Sequence, residues 1–331
     1  MKNKRASIIY IVLFAVFAGV SVLSFFCGSA DLTFPQMLSG ILGREGYKFE
    51  RIIMLSIRLP RLIAAIVAGA GLSISGVILQ SVMGNPLASP NTIGVNAGAG
   101  LAIVICLTAF PAFSAFLPFA AFFGAFFTAL IILFISRTLG AGKTTVILAG
   151  IACTSLFGAG ISFLSILDTD VLSTYSAFSV GGFSGVALSD IALPAILVAV
   201  CFFISVLLSG RVAALSLGDA VAASLGVNVR CVRMVCIVIA SMSAAAVVSF
   251  SGLLGFVGLI VPHIARKIVG ENILKQLTAA PIVGGIIVIL SDFLGRSLFS
   301  PSEISVGIIM SFIGAPFFFF ILFRRRKKTD A

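Results

Sequence analysis

The chain has 331 residues, of which 60% are hydrophobic and only 10% charged, with 33 glycines and no tryptophan. A soluble domain needs far more charge to cover its surface, so ordinary soluble folds are excluded, and apolar runs near 18 residues read as membrane-spanning helices. The net charge of +11 does not point to nucleic acid, because the basic residues collect at the ends of apolar runs, where they act as topology signals.

The first apolar run, 7–26, follows Lys2, Lys4 and Arg5 and resembles a signal peptide ending at Cys27. It is long enough to span a bilayer, and Phe26 stands where a cleavage site needs a small residue, so it reads as a retained first span. An outer basic segment follows at 28–59, holding Arg44, Lys48, Arg51 and Arg58, with Arg61 just beyond it. Two readings stand for these cations: snorkelling at the interface, or a docking surface for an acidic partner, to which the guanidinium fork is suited. Runs at 60–82, 92–110 and 114–135 give the next three spans. The stretch "AAIVAGAGLSISG" (64–76) marks the first of these as a helix that packs closely through small residues.

Residues 140–145, "GAGKTT", imitate a phosphate-binding loop. A true loop would carry glycine at 137, where Arg137 stands, and would join a strand to a helix in a soluble nucleotide domain. The stretch reads instead as a tight turn at Gly140 and Gly142, with Arg137 and Lys143 at the inner membrane face. Spans at 145–166 and 190–209 follow. The inner segment 210–232 then alternates short helical patterns with breaks at Gly218 and Gly226. Asp219 stands at a helix start, and Ala222, Leu225 and Val227 offer a small apolar face suited to a partner.

Region 233–269 is too long for one crossing of a hydrocarbon core about 30 Å thick. Splitting it at "SFSGLLG" (249–255) and adding runs 278–295 and 304–323 gives ten spans. Charge agrees: with both ends inside, 16 of the 22 Lys and Arg lie on the inner side and 8 of the 11 Asp and Glu on the outer. Nine spans would put the "RRRKK" tail (324–328) outside, against the positive-inside rule.

The spans hold almost no ionisable groups. Asp292, near the outer end of the ninth, is the main exception, with Arg296 as a local partner. The one histidine, His263 in "VPHIAR", reads as a structural or contact residue near the inner surface beside Arg266. The six cysteines show no paired metal spacing and read as buried, inert thiols. An intramembrane enzyme or an ion-driven transporter would need acids, bases or ion ligands deep in its spans. What remains is a conduit with weakly polar walls, powered from outside itself.

Three stretches carry a resemblance to a known family. "RLPRLIAAIVAGAGLSISGVILQSVMGNPLASPNTIGVNAGAG" (58–100), "LSLGDAVAASLGV" (215–227) and "SGLLGFVGLIVPHIARKIVG" (251–270) resemble the permease subunits of FecCD-type ABC importers, and the likeness extends over nearly the whole chain. The resemblance implies an all-α polytopic membrane protein of the type II ABC importer fold, a single transmembrane domain over 1–331. Its helices two to five and seven to ten would form an inverted repeat. It implies the bacterial cytoplasmic membrane with both termini inside, two ABC ATPase subunits, a substrate-binding protein outside, and a second permease copy or paralogue around one pathway. It implies no cofactor, and ATP hydrolysis on a partner chain. Carried over by position, Arg58, Arg61 and Arg296 match arginines that meet carboxylates of the binding protein. Gly218, Asp219, Ala222, Leu225 and Gly226 match the contact with the ATPase. Asn85 and Leu87 match an inner constriction, and Thr144 and Thr145 a second gate position. The implied cargo is an iron–siderophore complex, with haem or cobalamin as alternatives. The rival from another class is an ion-coupled secondary transporter.

Overall fold

The computed structural model describes residues 2–28, 30, 32–138, 143–298 and 302–329, and every regular element among them is a helix. Gly140 and Gly142, read as a tight turn between two spans, lie outside the described residues.

Helix α1 (Lys2–Phe26) is followed by the short α2 (Phe34–Ile41) and α3 (Lys48–Ile52). Helix α3 does not end in a loop. It runs through a π-helical turn, Ile53–Arg58, into α4 (Leu59–Met83), giving one apolar rod of 36 residues, Lys48–Met83. The outer segment expected at 28–59 is therefore helical over its last 12 residues. Pro60 falls directly after the π turn, at the start of α4, where its missing N–H and bulky ring are tolerated.

Next come α5 (Val95–Ala109), α6 (Leu117–Thr138), α7 (Lys143–Leu167), α8 (Thr169–Val180) and α9 (Leu188–Leu207). Two short helices, α10 (Ser209–Ser216) and α11 (Asp219–Ser224), precede α12 (Val229–Ser251), α13 (Val257–Val269), α14 (Ile273–Ser297) and α15 (Val306–Thr329). Among the described residues, seven helices are long and apolar enough to cross a membrane, and Val95–Ala109 and Val306–Phe320 are shorter apolar helices. Helix α13 has only 13 residues. It lies where the long run 233–269 was expected to divide. Helix α12 stops at Gly252 (φ 67°), and α13 begins after Phe256 (φ 64°).

The centre is built by α4, α12 and α14. In α4 and α12, 72% of the most apolar window is buried, against 6% in α1. Lipid provides no hydrophobic push between helices, so contact depends on backbone proximity. A methyl group on Gly69 would overlap the backbone of Gly284 in α14, and one on Gly76 the backbone of Gly258 in α13. Ser243 of α12 donates to the Gly71 carbonyl at 2.9 Å.

The packing also contains a repeat. Helix α4 packs on α14 as α12 packs on α6, α5 on α6 as α13 on α14, and α5 on α12 as α13 on α4. Exchanging α4–α7 for α12–α15 maps these contacts onto themselves. One long helix, α9, intervenes between the two sets of four, so in the membrane the second set runs inverted. In each set the second helix is short and starts from a left-handed residue, Gly94 (φ 71°) or Phe256 (φ 64°). Interrupted segments in matching positions of two halves are where transporters of this design place their pathway.

Candidate functional site

At one end of the molecule the structure gathers Arg58, Arg61 and Arg296. Arg58 and Arg61 lie one turn apart where the π turn passes into α4, and Asp292 and Arg296 are an i,i+4 pair on α14. Arg61 donates from Nε to both oxygens of Asp292, at 2.9 and 3.2 Å, and from Nη1 to Glu303 at 2.7 Å. Arg296 donates to Asp292 at 3.0 Å and to the Ser24 hydroxyl at 2.8 Å. Arg58 donates to the carbonyls of Phe25, Phe26 and Ala30 at 2.7–3.2 Å. Gly28 fits between two of these guanidiniums, since a Cβ there would approach Arg296 to 2.9 Å and Arg58 to 3.3 Å.

Burial distinguishes these arginines from the other cations at the same end. Arg58, Arg61 and Arg296 are 5–7% exposed and Asp292 is 2% exposed. They do not snorkel; carboxylates and carbonyls hold them inside the protein. Arg44, Lys48 and Arg51 are exposed. The local Asp292–Arg296 pair expected from spacing is present. Arg61 is a second partner 231 residues away in the chain, which spacing does not disclose.

At the other end, α10 and α11 form the expected pair of short helices. Their breaks fall at Gly218 (φ 109°) and Gly226 (φ 78°), in the left-handed region that suits glycine. Asp219 opens α11 and accepts a 2.6 Å hydrogen bond from Arg233 of α12. Ala222 is fully buried, whereas Leu217, Val221 and Leu225 are 65%, 45% and 63% exposed. The exposed apolar face therefore runs through Leu217, Val221 and Leu225. Ala222 instead packs inward, so it does not share an exposed face with Leu225, the C-cap residue of α11.

The two stretches matched to gates meet indirectly. Gly84 (φ 58°) caps α4, and Asn85 accepts from the Leu87 N–H at 3.0 Å, turning the chain into the 3-10 turn Asn91–Ile93. This turn packs on α7 at Gly150, where a Cβ would come within 3.0 Å of Ile93. Thr144, exposed, and Thr145, half-buried, occupy the first turn of the same helix. Asn85 and Leu87 are themselves half-buried.

Between these ends lies a recess of ≈ 900 Å³ that sequence reading missed, because its walls come from five separated stretches. Asn91 and Asn96, Thr154, Tyr175 and Ser179, Leu253, Gly255 and Phe256, and Gly307 to Pro316 all contribute, and among the described residues no charged side chain lines it. Phe256 is the residue of interest there. Among the described residues it alone is a non-glycine at positive φ, a conformation that costs a bulky residue about 1–2 kcal/mol. Its ring fills the notch left by Gly314 of α15. Among the described residues no three His, Cys, Asp or Glu side chains cluster as a metal site would require. His263 instead meets the Phe317 ring edge-on at 5.9 Å.

Comparison with known proteins addresses the family and the fold. Residues 13–324 match the model of the FecCD transport family. The chain is 35% identical to the Fe(3+)-citrate import system permease protein YfmE of Bacillus subtilis, over 99% of this chain and 98% of that one. It is 33% identical to the hemin transport system permease protein HmuU of Yersinia pestis, over 84% and 85%. It is 35% identical to the iron(3+)-hydroxamate import system permease protein FhuB of B. subtilis, over 92% and 80%. A solved chain in an inward-facing conformation, described as of the metal-chelate ABC transporter type, superposes with a TM-score of 0.85. It is 29% identical, and the match covers 96% of this chain and 99% of that one.

Proposed function

The chain belongs to the FecCD transport family, and on that premise we propose that it lines the membrane pathway of an ABC importer for a ferric chelate. A second copy or a paralogue completes the pathway, two separate ATPase subunits drive it, and a substrate-binding protein delivers the cargo from outside. The observation that carries this reading is the ≈ 900 Å³ recess walled by neutral, weakly polar side chains. A bulky chelate must enter and leave without being gripped, and a wall free of fixed charge holds it weakly. The relatives named above are permeases for ferric citrate, ferric hydroxamate and hemin, which supports a metal chelate as the class of cargo.

The remaining parts belong to the same proposal. The end holding Arg58, Arg61 and Arg296 faces outward and receives the binding protein. The end holding Gly218 to Gly226 faces the cytoplasm and presents Leu217, Val221 and Leu225 to a groove of the ATPase. Both termini are then cytoplasmic, in keeping with the basic tail. The turns at Asn85–Leu87 and Thr144–Thr145 close the inner mouth. The test is uptake into proteoliposomes holding the permease, its ATPase and its binding protein, with radioiron-labelled citrate, a labelled ferric hydroxamate and haem offered in turn. ATP-dependent accumulation of a ferric chelate is expected. Uptake driven by a proton gradient without the ATPase subunits would overturn the proposal.

A further inference from the structure

Glu303 stands three residues ahead of α15, and its carboxylate accepts from Nη1 of Arg61 at 2.7 Å. The same guanidinium gives its Nε edge to Asp292. The two carboxylates are unlike. The Asp292 side chain is 3% exposed and is shared between Arg61 and Arg296, which fixes it in the interior. The Glu303 side chain is 31% exposed and reaches Arg61 from the solvent side.

We propose that Glu303 is an exchangeable counter-ion. It occupies the edge of Arg61 that a carboxylate of the incoming binding protein takes on docking, and it is displaced into water when that carboxylate arrives. The inference rests on the docking reading above. Its physical basis is that Arg61 is only 7% exposed, with Nε and Nη1 both engaged. A second acidic group cannot reach Nη1 while Glu303 holds it. Asp292 is one carboxylate shared by two buried arginines, and uncompensated buried charge is costly, so the resting permease needs a stand-in at Nη1. A stand-in that is one-third exposed is the weaker partner, because water screens and rehydrates it. Asp292 is unsuited to exchange, since its departure would strip counter-charge from two buried arginines at once. Among the described residues the cluster sets three arginines against these two carboxylates, and the positive excess complements an acidic partner.

The test is a docking cycle on the whole permease, assembled with its ATPase in nanodiscs and titrated with its own substrate-binding protein at low salt. Glu303→Gln is expected to tighten docking by about two- to five-fold, the worth of a part-exposed ion pair. Arg61→Gln is expected to weaken it by at least about ten-fold. The double variant should show no gain from the change at 303. If Arg61→Gln weakens docking but Glu303→Gln leaves it unchanged or weaker, the exchange is wrong and the docking surface stands. If Arg61→Gln leaves docking intact, the docking surface itself is wrong. Glu303→Asp, which keeps the charge but withdraws it by one methylene, should give a smaller gain. It supplies the same comparison if Glu303→Gln does not assemble, and no gain from it would then overturn the exchange.

Discussion

Asp292 makes the outer cluster possible. Two guanidiniums with 5–7% exposure share one carboxylate with 2%, and neither arginine would be tolerated there without it. Removing one partner of a buried ion pair strands the other, at a cost of about 3–5 kcal/mol, far more than the pair itself contributes. Asp292→Asn keeps the shape and removes the charge, so it should lower the thermal stability of the detergent-solubilised protein by an amount in that range. Glu303→Gln should cost only about 0–1 kcal/mol, because its side chain is 31% exposed. Melting curves of the two variants against the parent decide the matter. Equal shifts would mean that the two carboxylates do not differ in role.

The elements divide according to how locally each is encoded. Helices α10 and α11 are legible because glycines at 218 and 226 punctuate them, and left-handed backbone leaves few other choices. The break before α13 is legible because one run exceeds the thickness of the bilayer. The π turn at Ile53–Arg58 is not, since an apolar stretch carries no signal for a change of helical pitch. Nor is the burial of Ala222, which depends on how α11 packs against its neighbours. The tie between α11 and α12 is also tertiary: Arg233, 4% exposed, bridges to Asp219 at 2.6 Å. In the proposed coupling, a push on α11 would reach α12 through this tie, and so α4 and α6, on which α12 packs. Arg233→Met replaces the buried arginine with an apolar chain of similar length and avoids stranding a charge. It should leave insertion and ATP hydrolysis intact while transport per ATP falls about five-fold or more. Uptake and hydrolysis measured in the same proteoliposomes test this, and an unchanged ratio would remove Arg233 from the coupling path.

At the scale of the molecule, the number of spans is readable because bilayer thickness limits each run and charge sets its direction. The inverted repeat is readable only through the family resemblance, and the recess is not readable at all. Both exist only in packing, where α5 and α13 come to matching positions without any likeness in sequence that spacing analysis detects. Topology can be tested with residues the protein already has. Not all six cysteines are the buried thiols expected: Cys27 and Cys231 are free and exposed, because they stand at the end of α1 and the start of α12, where the helices leave the packed interior. Between them lie α4, α5, α6, α7 and α9, an odd number of crossings when the short α5 is completed by its flanking turns. Opposite sides of the membrane follow. In variants retaining one of these thiols, with the other cysteines changed to alanine, a membrane-impermeant maleimide should label Cys27 in right-side-out vesicles. Cys231 should be labelled only in inverted ones. Labelling of both from one side would require an even number of crossings, and α5 would then dip into the membrane and return instead of spanning it.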